Sequence, residues 1–166
     1  MLLIIGNVVA LIASLIMVYT GCIKSKQKIL YAQNIQMGLL GISNLVLGGF
    51  SGAAINAVGI IRNILCYYNK FGLKEKIFIT ILSAVLTIIF NNLGLIGYLP
   101  LIAIVVYTWL ITIKDVVKFK ILIIFTLVLW IVYDFTVKSY TACAFDLFTI
   151  VTNVIAIISI KNKPEK

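Results

Sequence analysis

The sequence predicts an all-α polytopic membrane protein, with seven transmembrane helices arranged 3+1+3, as two parallel three-helix repeats around one linker helix. Three observations lead there. Of the 166 residues 63% are hydrophobic and the mean hydropathy is +1.17, too little polar surface to wrap a soluble core, so the apolar exterior faces lipid. Lysines cluster at every second gap between apolar segments. A shift of 90 residues superposes the first three segments on the last three without a gap.

Apolar runs of about 20 residues cross a bilayer as helices, because backbone groups in hydrocarbon must be bonded within the segment. The first run, Leu2 to Tyr19, has no basic residues before it and a Lys cluster directly after it, the mark of a retained helix and not of a signal peptide. The second, Leu30 to Leu47, carries Gln33, Gln36 and Asn44 with Gly38 and Gly41. Gly48 and Gly49 then permit a tight hairpin into the third, Ser51 to Tyr68, making those two helices antiparallel neighbours. The fourth, Ile77 to Asn91, is the shortest and most uniformly apolar, which suits a connecting helix at the side of a bundle. Asn91, Asn92, Gly94 and Gly97 break the chain before the fifth, Ile96 to Ile113, where Pro100 is tolerated in the first turn. The sixth runs from Phe119 to Val137 and the seventh from Tyr140 to Ile160. Tyr67, Tyr68, Tyr98 and Tyr140 fall at segment ends, where the headgroup belt favours aromatics. One membrane domain over 1–166 is expected, with repeat one at about 1–70, the linker helix at about 77–91 and repeat two at about 96–160.

The four lysine clusters are Lys24, Lys26 and Lys28; Lys70, Lys74 and Lys76; Lys114, Lys118 and Lys120; and Lys161, Lys163 and Lys166. Of the 14 basic residues only Arg62 and Lys138 lie elsewhere. Short Lys-rich loops stay cytoplasmic, so the N-terminus is expected outside and the C-terminus inside. Topology thus accounts for the net charge of +9, and with no basic stripe or patch no nucleic-acid partner is expected. The expected partner is the lipid bilayer, whose anionic headgroups attract each lysine by on the order of 1 kcal/mol. Cys22, Cys66 and Cys143 form no CxxC pair and His is absent, so no zinc site, redox motif or other cofactor is expected. Without a metal cluster or a carboxylate pair at usable helical spacing, the chain does not read as an enzyme.

In the 90-residue register Lys24 falls on Lys114, Lys28 on Lys118, Asn44 on Asp134, Asn56 on Asp146 and Asn63 on Asn153. Apolar positions match by chance, so these scarce polar ones carry the weight. Three crossings plus one restore the starting side, which gives both repeats the orientation that the lysines also require.

On the third helix Gly52, Asn56, Gly59 and Asn63 form one stripe, matched on the seventh by Ala142, Asp146, Thr149 and Asn153. Two such stripes line a shared cavity or, alternatively, hydrogen-bond across helix contacts. Asp146 is costly to bury, so it faces water or a partner, or is protonated. Arg62 either snorkels toward the interface beside Lys70 or bonds amides such as Asn63 and Gln36. Asp134, one turn before Lys138, reads as an exposed pair at the outer rim. Trp130, deep in the sixth segment, suits stacking on a ring-shaped solute. The candidate substrate-binding residues are therefore Asn56, Asn63, Asp146, Asn153, Trp130 and Arg62.

The run K-S-K-Q-K-I-L-Y-A-Q from Lys24 to Gln33, followed by F-S-G-A-A-I-N-A-V-G-I-I-R-N from Phe50 to Asn63, resembles the YgjV-like family of small bacterial inner-membrane proteins. The likeness is strong over the first half and rests on helix count beyond it. It implies a bacterial inner membrane and names no substrate. The general plan is similar to that of SWEET and PnuC-type transporters, although the proline-glutamine signature of the former is missing: Gln36 has no preceding proline. Two functions are then expected to compete. One is a transporter or facilitator of a small polar solute bound between the repeats; the alternative is a nonenzymatic membrane accessory protein whose polar faces are packing or partner contacts. A continuous polar cavity discriminates them. No motif encodes the oligomeric state.

Overall fold

Seven apolar runs become seven α-helices: α1 (Leu2–Cys22), α2 (Lys26–Leu47), α3 (Phe50–Tyr67), α4 (Leu73–Phe90), α5 (Leu99–Leu110, entered through a 3-10 turn at Ile96–Tyr98), α6 (Val116–Thr136) and α7 (Tyr140–Lys161). The computed structural model describes residues 1–161 apart from residues 24 and 69. Of the lysine pattern, Lys24, Lys163 and Lys166 lie outside the described residues.

The expectation of seven transmembrane helices is corrected. Among the described residues four helices are long and apolar enough to cross a membrane: Leu2–Thr20, Phe50–Tyr67, Val116–Thr136 and Tyr140–Ile160. The others fail for local reasons. α2 starts at Lys26 and so gathers Lys28, Gln33, Asn34, Gln36 and Asn44 into its length. α4 opens with Lys74, Glu75 and Lys76, three charges in 18 residues. α5 has only 12 residues, because Pro100 sits in its first turn and the helix stops at Leu110.

The 3+1+3 plan of matched parallel repeats is not shown either. α5, which the 90-residue register pairs with α1, has 12 residues where α1 has 21. α1 seats broadly on α7, whereas α5 and α3, their counterparts in that register, meet only lightly. A register built on a few polar matches constrains neither helix length nor helix neighbours, and both differ here.

α1 packs along α2 and α7, α2 along α3, α6 along α5 and α7, and α4 against α3 and α5. The α2–α3 turn closes through Gly48 at φ 80, with Gly49 N–H on the Asn44 carbonyl at 2.8 Å. The α6–α7 turn repeats that geometry with Lys138 at φ 61 and Ser139 N–H on the Asp134 carbonyl at 2.8 Å. Asn7 of α1 ties this turn down: its Nδ2 donates to the Lys138 carbonyl at 3.1 Å and its Oδ1 accepts from Thr141 N–H and Oγ1 at 3.0 Å. Gly48 and Lys138 therefore mark one end of the bundle, called the hairpin end below.

The opposite, lysine-rich end uses its charges as caps. Where α5 stops short, Lys26 Nζ donates to the carbonyls of Ile111 and Ile113, and Lys76 Nζ to the Trp109 carbonyl at 3.0 Å. Cations there satisfy orphan carbonyls at the negative end of the helix dipole. Asp115 caps α6, accepting from Lys118 N–H at 3.0 Å, and that bond holds its carboxyl below the usual carboxylate range. Between these ends Met17, Ile29, Tyr107, Ile111, Phe119 and Ile123 form the main apolar core, while Ile4, Ile12, Ile88, Phe148 and Ile155 face outward.

Candidate solute cavity

A polar pattern that recurs every three or four residues on α3 places Gly52, Asn56, Gly59 and Asn63 on its buried face, and Ala142, Asp146, Thr149 and Asn153 are likewise buried on α7. A cavity of about 50 Å³ lies inside the bundle. Its wall takes Asn56 and Arg62 from α3, Tyr107 from α5, Trp130 and Asp134 from α6, and Asp146 from α7. At roughly 10–15 Å³ per water it has space for a few waters, well below the roughly 300 Å³ at which small-molecule pockets begin. As it stands the cavity has no space for a solute larger than a few waters.

Of the sequence-predicted residues, Asn56, Arg62, Trp130 and Asp146 meet in this wall, and Asn63 and Asn153 do not. Those two act as holders. Asn63 Oδ1 accepts from Arg62 Nε at 3.0 Å and Nη2 at 2.7 Å, while its Nδ2 points to Gln33 Oε1 at 3.5 Å. Gln33 Oε1 also accepts from the Tyr107 hydroxyl at 2.9 Å, and the Arg62 guanidinium lies 4.2 Å from the centre of the Tyr107 ring. Arg62 thus bonds within the bundle and does not snorkel, with a neutral amide and a π-face as its partners. Asn153 Nδ2 donates back to the Thr149 carbonyl at 2.8 Å, and its Oδ1 accepts from the buried Lys120 Nζ at 3.3 Å.

Asp134 overturns the exposed-pair expectation. It is 2% exposed, and its Oδ2 is buried with no hydrogen-bond partner among the described residues. The physical reason lies next to it. Tyr133 turns into the bundle, where its hydroxyl accepts from Gly52 N–H at 2.8 Å and meets Ser51 Oγ at 3.3 Å, capping the first turn of α3. A Cβ on Gly52 would come within 2.6 Å of the Tyr133 ring, so glycine there permits the approach. That contact ties the end of α6 to the first turn of α3 through the Tyr133 side chain, and the adjacent Asp134 is buried with it. Trp130 stacks edge-on against Tyr133, with ring centres 5.6 Å apart. Asp146, 6% exposed, makes no hydrogen bond among the described residues.

A family profile described as bacterial inner membrane protein matches residues 4–163, nearly the whole chain. The chain belongs to the YgjV family. It is thus an all-α, multi-pass inner-membrane protein whose long apolar helices lie in the bilayer. No curated protein and no solved structure matches significantly.

For this YgjV-family member the sequence reasoning overlooked Asp134, Tyr107, Tyr133 and Lys120 as interior polar groups. Lys120 was readable only as a topology lysine, although its place in the first turns of α6 brings it level with Asn153 near the end of α7. Tyr107 lies on the fifth run beside Thr108, with no amide or charged residue nearby to single it out. Among the described residues no group of three or more His, Cys, Asp or Glu is placed to hold a metal ion.

Proposed function

We propose that the protein is a transporter or facilitator of a small polar solute, acting as one membrane domain with the solute held between α3, α6 and α7. The observation that carries this reading is a cavity into which a buried guanidinium and two buried carboxyls face without any ion pair among the described residues. Burying charges in a membrane protein is costly, and intramembrane ionisable groups ordinarily mark a pathway or a ligand site. Asn56, Asp146, Trp130 and Arg62 supply hydrogen bonds, charge and a stacking face, while Asn63 and Asn153 position Arg62 and Lys120. The cavity enlarges to admit the solute by movement of one group of helices against the other.

The accessory-protein reading is favoured by one observation: Asn56 Nδ2 donates to the Gly52 carbonyl of its own helix at 3.0 Å, a local bond that needs no solute. Uptake of candidate solutes into proteoliposomes separates the two. Asp146→Asn is expected to fold while changing solute affinity or its pH dependence, and Asn56→Leu to lose transport more than expression. An Asn56→Leu variant that loses detergent stability while Asp146→Asn is silent in every assay would establish packing instead.

We further propose the N-out, C-in orientation, supported by the lysine alternation. Tyr140 and Lys74 are both exposed at opposite ends. With Cys22, Cys66 and Cys143 replaced, a cysteine at Tyr140 is expected to react with an impermeant reagent from outside and one at Lys74 to be protected. The reverse pattern inverts the protein.

A further inference from the structure

Asp134 and Asp146 approach the cavity from different helices. Asp134 lies two residues before the end of α6 and Asp146 six residues into α7, so in an antiparallel hairpin their depths differ by only about 6 Å at 1.5 Å per residue. Both are more than nine-tenths buried, and both line the same cavity. The other ionisable groups around them are few. α3 contributes Arg62, α5 contributes Tyr107, α6 contributes Tyr133, and α7 contributes Cys143 beside the pair. The wall residues of α1 and α2 are Met17, Gln33, Gln36, Met37 and Leu40, none of them ionisable, and α4 does not reach the wall. Lys120 lies off the wall on Asn153, and Arg62 is committed to Asn63 and Tyr107. Among the described residues no cation is therefore bound to either carboxyl.

Two buried carboxylates that share one site with no bound cation do not both ionise. We propose that Asp134 and Asp146 form a proton-binding pair, loading at least one proton while the cavity is contracted and releasing it to water when the cavity enlarges, so that the coupling ion of the transport reading is H⁺. The step is a simple proton transfer between cavity water and a carboxylate oxygen. A space for a few waters gives the proton its route. Coupling rests on the transport reading, but occupation of the pair does not.

The test follows the protonated-carboxyl infrared band of the purified protein in nanodiscs, without solute, across a pH titration. Wild type is expected to keep a protonated buried carboxyl at neutral pH and to lose it as the pH is raised further. In Asp146→Asn and Asp134→Asn the remaining carboxyl is expected to ionise at lower pH than the last step of wild type, by on the order of one pH unit, because its like-charged neighbour is gone. No protonated band in wild type at neutral pH, or variant steps that coincide with the wild-type step, overturns the pair. If one variant fails to fold, the other reads the same interaction, and the wild-type titration decides occupancy alone. A pair confirmed here with no solute moved in proteoliposomes defeats the transport reading only; pH-independent transport with no band defeats the pair only.

Discussion

Toward the lysine-rich end of the bundle Arg62, Asn63, Gln33 and Tyr107 hold one another across three helices, whereas toward the hairpin end Asp134 and Asp146 hold no partner among the described residues. The first group is a hydrogen-bond network: the cation finds an amide oxygen and an aromatic face, and the amide is in turn held. Such a network specifies how α2, α3 and α5 meet. The second group spends burial energy without a local return, the pattern expected where a ligand or a proton completes the site. Polar residues equally buried thus divide into those already partnered, with Arg62 held in place while still lining the cavity, and those left without a partner among the described residues.

The sharpest way to break this comparison is to remove the holder. Asn63→Leu leaves the buried Arg62 guanidinium without its acceptor, and a loss of about 3 kcal/mol is expected, the range for breaking a buried charge's partnership. Denaturant unfolding in detergent measures it. A variant as stable as wild type would show the network to be incidental. Tyr133→Phe sits between the two groups. It strands the Gly52 N–H at the start of α3 and is expected to cost about 1–2 kcal/mol while loosening the position of Asp134. The same unfolding assay checks it, together with a changed infrared titration. The smallest effect is at the hairpin end itself, where Lys138 adopts φ 61 with a side chain that disfavours it. Lys138→Gly keeps the backbone carbonyl used by Asn7 and is expected to stabilise by about 1 kcal/mol without altering transport. A transport change there would mean that the lysine side chain belongs to the site.

How far the sequence reaches can be followed residue by residue. Seven helices were readable from seven apolar runs, because hydrophobic length acts locally, and family membership was readable from the Lys24–Gln33 and Phe50–Asn63 runs. The buried faces of α3 and α7 followed from spacing by three and four, which every α-helix obeys. The number of membrane-spanning helices was misread, since it depends on where helices start and stop: α2 extends back to Lys26, α4 back to Lys74–Lys76, and α5 ends early where Lys26 and Lys76 cap it. The 3+1+3 repeat failed for the same reason, as polar matches say nothing of length or neighbours.

The sequence by itself determined which faces are polar and which charges are scarce, because side-chain chemistry and helical period are properties of the chain. Only the tertiary structure decided which of those charges are partnered. Arg62 acquires Asn63 as a neighbour in sequence but Tyr107 from 45 residues away, and Asp134 leaves the rim because Tyr133 reaches for Gly52 across the bundle. Those contacts join distant segments, and their geometry exists only after the helices have packed.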